Sequence, residues 1–171
     1  MPLARRDLAL YLFPIAFKPI NDRYGDETGD ELLRIIAARL SRVVRAEDMM
    51  SRLGGDEFAC LAAESVNREL LGHLAGKLLD TVSAPLKPGT LRISVRPSIG
   101  IATYPADRTT AEALLRSADE AMYRAKQQQI GYHFCDRRAD GQPGRQPALE
   151  RPRPCFTRAC VDGPANSPRP R

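Results

Sequence analysis

The sequence predicts an α+β fold, an α/β sandwich in which helices pack on one mixed sheet. Three observations carry that expectation. Strand-like and helix-like stretches are interspersed along the chain rather than gathered into separate blocks. Residues 8–15 (LALYLFPI) are apolar almost throughout, which suits a central strand covered on both faces. Gly54-Gly55 stands between two strand-like pieces, so at least one pair of strands is joined as a hairpin. Interspersed strands and helices with a hairpin among them argue for a single sheet with helices laid on it.

The elements follow in order. Residues 8–15 form the first strand, with Pro14 awkward there because it lacks a ladder donor. Residues 18–25 (KPINDRYG) read as a polar turn or short helix. Thr28 and Glu31 have the spacing of a capping box, with Thr28 as N-cap, and Leu32, Leu33, Ile36, Ala37, Leu40 and Val43 follow at helical spacing. Asp30 then sits in the first helical turn, where the macrodipole favours a carboxylate. Residues 49–61 make the hairpin. Residues 65–82 form a second amphipathic helix, with Leu70, Leu71, Leu74, Leu78 and Leu79 inward. Residues 91–103 give two strand-like pieces broken near Pro97. A capping box at residues 109–112 opens a last helix that runs through Lys126 on Leu114, Leu115, Ala118, Ala121, Met122 and Ala125, and residues 132–135 close the sheet as an edge strand.

A length of 171 residues with 43% hydrophobic side chains fits one domain with a core. The formal net charge of +5 is unevenly placed. Eight arginines and three acids fall after Asp136, which leaves eighteen basic and eighteen acidic side chains in residues 1–136. The basic character therefore belongs to the tail and gives the folded part no reason to bind nucleic acid. Residues 137–171 also hold seven of the fourteen prolines and lack periodicity, so the expected division is a domain over 1–136 and a disordered Pro/Arg-rich tail over 137–171. The four cysteines show neither zinc-ligand spacing nor a disulfide framework, and Cys60 reads as a buried thiol, which points to a reducing, cytoplasmic setting. The basic residues before Asp7 and the apolar run after it imitate a signal peptide, but no small-residue cleavage site follows, and no run is long enough for a membrane span.

The chemistry concentrates in residues 52–58 (RLGGDEF). Two glycines let a ligand approach the backbone closely, and the adjacent carboxylates Asp56 and Glu57 beside that bare turn are a candidate Mg2+ and phosphate site. Taken alone, Gly-Gly-Asp-Glu is more simply a solvated hairpin tip. The surrounding sequence changes that weighting. Residues 17–33 (FKPINDRYGDETGDELL), 52–61 (RLGGDEFACL), 98–107 (SIGIATYPAD) and 118–128 (ADEAMYRAKQQ) together resemble a GGDEF domain of the diguanylate cyclase family across residues 8–136.

The resemblance implies a mostly antiparallel palm-like sheet, similar to that of nucleotidyl cyclases and polymerases. It also implies a reaction in which a homodimer, each subunit presenting one GTP, forms cyclic di-GMP with Mg2+ or Mn2+. Carried over residue by residue, it implies that Asn21 and Asp30 bind guanine and that Gly54 and Gly55 lie against the nucleotide. Asp56 becomes a metal ligand and Glu57 the second acid of the motif. Phe17 and Lys18 fall in the loop near the phosphates, and Lys126 reaches the phosphates from the last helix. Arg45 and Asp48 match the RxxD site that binds product cyclic di-GMP, where a guanidinium can fork onto phosphate or guanine.

Three departures stand beside these matches. The family's metal-binding acid on the first strand is Phe13 here, the next family acid is Ile15, and residues 8–17 contain no Asp or Glu. Gln129-Ile130 replace a Gly-Arg pair after Lys126. The family's opening segment and any sensor or dimerisation domain are expected to be missing. The sequence therefore supports an impaired member that binds GTP or cyclic di-GMP with little turnover. The alternatives are an active diguanylate cyclase and a relic of a longer GGDEF-EAL protein.

Limited proteolysis is expected to trim residues 137–171 and leave the domain intact. Strong amide-exchange protection across residues 140–165 would contradict that division.

Overall fold

The structure, a computed structural model, describes residues 7–63 and 67–136 together with the short strand Cys160–Val161. Its strands are β1 (Leu8–Pro14), β2 (Met49–Gly54), β3 (Glu57–Ala63), β4 (Ile93–Ser94), β5 (Ile99–Tyr104), β6 (Tyr132–Phe134) and β7 (Cys160–Val161). Its helices are α1 (Lys18–Tyr24), α2 (Asp26–Leu40), α3 (Arg68–Ser83) and α4 (Ala111–Gln127). Five strands form the main sheet in the order β2-β3-β1-β5-β6. All its pairs are antiparallel except β5 with β6, so the sheet is mixed and mostly antiparallel, as expected. A second, two-stranded sheet pairs β4 with β7. Apart from β7, the expectation for residues 137–171 lies outside the described residues.

β1 is the central strand. Its odd side chains Ala9, Tyr11 and Phe13, followed by Ile15, enter the larger core with Ile20 of α1, Leu32, Ile36 and Leu40 of α2, and Leu71, Ala75, Leu78 and Val82 of α3. Its even side chains Leu10 and Leu12 enter a smaller core with Leu114, Ala118 and Ala121 of α4. This is the period-2 alternation of a strand with both faces covered. Pro14 closes the strand opposite Glu57, at the end of the ladder where a missing N–H is least costly.

Several local expectations shift. α2 starts at Asp26, directly after Gly25, with Asp26 and Glu27 in its first turn, so Thr28 is not its N-cap. The Thr28 hydroxyl instead donates to the Tyr24 carbonyl at 3.0 Å, tying α2 back to the end of α1. In α4 the cap falls one residue later than the predicted box, on Thr110, whose Oγ1 accepts from Ala113 N. α3 is capped by Asn67, which accepts from Glu69 N at 2.9 Å. Ala37, Leu70 and Leu115 point outward: the buried positions on α3 are 71, 75, 78 and 82, and Leu70 is one step of about 100° off that stripe. Among the described residues no helix is long and apolar enough to cross a membrane.

Gly100 sets the distance between α4 and the sheet. A Cβ there would lie 1.9 Å from the Ala118 carbonyl oxygen and 2.4 Å from Met122 N, both backbone atoms of α4. Gly100→Ala is therefore expected to lift α4 off β5 and destabilise the domain by about 2 kcal/mol or more in urea unfolding. A change below about 0.5 kcal/mol, as at an ordinary surface position, would show that α4 does not rest on that strand.

Candidate functional site

The hairpin turn docks on the end of β1. Its two loop residues are Gly55 and Asp56, because Gly54 still pairs with Glu57, so the turn lies one residue later than the Gly54-Gly55 reading. Gly55 has φ 53°, a left-handed conformation that glycine adopts without steric cost. The register slips between Arg52 and Gly54, leaving Leu53 as the extra residue of a bulge. Ile15 N–H donates to the Asp56 carbonyl at 2.7 Å, so the turn, the end of β1 and the start of α1 share one end of the sheet. A Cβ at Gly54 or Gly55 would meet nothing within 4 Å, which leaves this turn open to a ligand.

The predicted residues divide by place. Asp56 is half-buried and Glu57 is exposed. Lys18 is exposed at the first position of α1, whereas the Phe17 ring is buried in the larger core. The Phe17 carbonyl accepts from Ile20 N and Asn21 N, closing the first turn of α1. Asn21 packs directly over Gly29: a Cβ on Gly29 would lie 1.8 Å from Asn21 Oδ1. That oxygen is buried and accepts no hydrogen bond among the described residues. Asp30, the next residue of α2, is exposed, so the α1–α2 junction brings a buried amide oxygen and a surface carboxylate near each other. Lys126 is half-buried in the last turn of α4, on the other face of the sheet. Leu12 pairs with Gly100 and Ile99 with Tyr132, so the chain leaving α4 enters β6 at the end of the sheet that carries the hairpin turn. Gln129 closes α4 at φ 54°, with Ile130 N donating to Ala125 O and Gln129 N to Lys126 O, a Schellman arrangement with glutamine where glycine is usual.

The residues facing the hairpin acids do not fit a two-ion metal site. Phe13 is fully buried and stacked on Phe58, with ring centroids 6.0 Å apart and planes 15° apart, and Ile15 is 1% exposed. At these two positions β1 thus presents hydrocarbon and offers no carboxylate. Among the described residues no three His, Cys, Asp or Glu side chains gather where an ion would be held. Mg2+ needs near-octahedral oxygen coordination, and one carboxylate corner supplies too little of it.

Arg45 and Asp48 lie in the connection from α2 to β2. Asp48 Oδ2 accepts from Arg45 N at 2.9 Å and Oδ1 from Ala63 N at 3.3 Å, so this carboxylate ties the connection to the end of β3. Its charge reaches inward: burial first, then Asp48, pushes the Cys60 thiol up to about 12. Arg45 is exposed.

Two features escaped the sequence reading. Arg52 donates from Nε and Nη2 to the Gly55 carbonyl, at 2.9 and 2.6 Å, across the turn; its only signal was an arginine three residues before Gly55. Buried Asp107 accepts from Thr103 N at 2.9 Å and Thr103 Oγ1 at 2.6 Å, closing the turn after β5. A Thr four residues before an Asp is too common a spacing to single out.

The chain matches the family model for the diguanylate cyclase, GGDEF domain, over residues 6–131. It is 42% identical over 131 residues to the bifunctional diguanylate cyclase/cyclic di-GMP phosphodiesterase MucR of Pseudomonas aeruginosa, covering 76% of this chain and 19% of that protein. It is 40% identical over 129 residues to the diguanylate cyclase TpbB of the same species, covering 74% of this chain and 30% of that protein. The crystal structure of the TpbB GGDEF domain superposes with a TM-score of 0.72 at 38% identity, covering 78% of this chain and 84% of that one. The chain thus spans 19% and 30% of the length of these two curated relatives.

Proposed function

The chain belongs to the GGDEF-domain family of diguanylate cyclases, and from that premise we propose that it binds guanine nucleotides in cyclic di-GMP signalling with its own cyclisation step impaired. The observation that carries the impairment is Phe13, buried and stacked on Phe58 where the family resemblance calls for a metal-binding acid. Joining two GTP molecules by a two-ion route needs carboxylates on both sides of the ions, to activate the attacking hydroxyl and neutralise the triphosphate. Asp56 and Glu57 supply one side only. Loss of a bridging acid removes on the order of 4 kcal/mol of transition-state stabilisation, about a thousandfold in rate.

Nucleotide binding draws on groups that need no metal. The Asn21 Oδ1, unpartnered among the described residues, offers an acceptor to a guanine N–H, and exposed Asp30, one residue past Gly29, offers a second. A base donor reaching Asn21 removes the cost of a buried acceptor without a partner. The open turn with its two bare residues Gly54 and Gly55 admits the nucleotide, and Lys18 and Lys126 contribute positive charge for its phosphates. A homodimer in which each subunit presents one nucleotide completes the proposal.

Two measurements test this function. Calorimetry is expected to detect GTP binding that survives chelation of divalent ions and weakens about tenfold in Asn21→Ala, while incubation with GTP and Mg2+ or Mn2+ yields little cyclic di-GMP. Robust synthesis by the wild-type chain would refute the impairment. Phe13→Asp is a poor rescue, because it places a carboxylate in the core against Phe58 at a desolvation cost of several kcal/mol, on the order of the domain's whole stability.

The exposed Arg45, held in its turn by Asp48, is proposed to bind cyclic di-GMP. Titration of cyclic di-GMP into the wild type and Arg45→Ala decides this. Binding is expected for the first and lost for the second; equal binding by both, or none by the wild type, rules the site out.

A further inference from the structure

The hairpin turn is built from residues that do not hold a shape by themselves. Gly54 and Gly55 lack side chains, Leu53 is the extra residue of a bulge, and a glycine pair loses more conformational freedom on ordering than any other dipeptide. Yet both loop carbonyls are held. The Gly55 oxygen accepts two hydrogen bonds from the Arg52 guanidinium, at 2.9 and 2.6 Å, and the Asp56 oxygen accepts from Ile15 N at 2.7 Å. The 55–56 peptide is trans, since among the described residues only Tyr104-Pro105 is cis. In a trans peptide the carbonyl and the following N–H point in opposite directions. Holding the Gly55 oxygen towards Arg52 therefore turns the Asp56 N–H to the other side of the turn.

We propose that Arg52 is a positioning residue that orders this turn so that its backbone N–H presents to the phosphates of a bound nucleoside triphosphate. The inference rests on the reading that the hairpin meets a nucleotide. The planar guanidinium makes two converging bonds to one oxygen, which fixes direction as well as distance; a lysine ammonium is a point charge with no such rigid fork. Arg52 is exposed on the edge strand β2, so removing its side chain takes little from the core. Its effect is on the order of the turn rather than on the fold.

The test uses the full chain with Arg52→Ala and Arg52→Lys. Backbone 15N relaxation reports the order of the Gly54 and Gly55 amides without any ligand, and calorimetry with GTP and with guanosine separates phosphate contacts from base contacts. Both variants are expected to mobilise the two glycine amides and to weaken GTP binding about tenfold through lost preorganisation, with guanosine affinity unchanged and the unfolding midpoint within about 3 °C of wild type. Unchanged glycine relaxation, an equal loss for GTP and guanosine, or full rescue by lysine overturns the proposal. If the wild type binds neither GTP nor guanosine, the nucleotide-site reading fails and the phosphate role of Arg52 with it; the relaxation data then decide separately whether the clamp exists.

Discussion

The structure depends on β1 being buried on both faces. One strand pairs with β3 on one side and β5 on the other, and its alternating side chains nucleate two cores. Each large side chain it buries contributes about 1.5–3 kcal/mol, and Tyr11, Phe13 and Ile15 are all essentially inaccessible. The Tyr11 hydroxyl, buried with them, donates to the Leu71 carbonyl at 3.2 Å and so fastens α3 to the strand. Polar chemistry on β1 would compete directly with this packing. The Phe13–Phe58 stack adds about 0.5–1.5 kcal/mol beyond area burial, whereas a carboxylate facing the same core without a cation would be costly. Phe13 therefore serves the fold at the place where the family resemblance expects an acid to serve chemistry.

Around that strand, two close backbone approaches set where the helices rest. Gly100 lets α4 lie directly on β5, and Gly29 lets the Asn21 side chain lie against α2. The first makes the smaller core possible. The second leaves Asn21 Oδ1 buried with no hydrogen-bond donor among the described residues. Both approaches come from the same device, a missing Cβ, used on opposite faces of the sheet.

The acidic residues differ in exposure and in what the structure shows them holding. Asp48 and Asp107 accept from backbone N–H groups and close connections at the ends of strands, where each holds a turn in register. Their fields act on nearby thiols: Cys60 is pushed up to about 12 by burial and then by Asp48, and Cys135 up to about 12 by burial and then by Asp107. Asp30 and Glu57 are exposed and Asp56 is half-buried beside the open turn. The proposed site therefore lies where α1, α2 and the hairpin present side chains outward, away from the aspartates that maintain the frame.

Periodicity and composition were enough to place the strands and helices up to β6, because both are local properties of the chain; β7, within the segment read as a tail, was not foreseen. The two-sided apolar run identified β1 as central, and the spacing of Ile36, Leu40, Leu71 and Leu78 identified the inward stripes. Helix starts were less legible: Gly25 and the two acids after it begin α2 before Thr28, and a capping pattern cannot show which of two neighbouring threonines lies at the helix end. The functional motif was readable as a string, including the absence of any acid in residues 8–17. What only the tertiary structure decided was direction. Which of the two cores Phe13 enters depends on register with β3, since a slip of one residue would turn it to the other face of the sheet. The Arg52 clamp, the two-bond role of Asp48 and the unpartnered Asn21 oxygen exist only once strands pair and helices dock, because each joins groups whose separation no local pattern records.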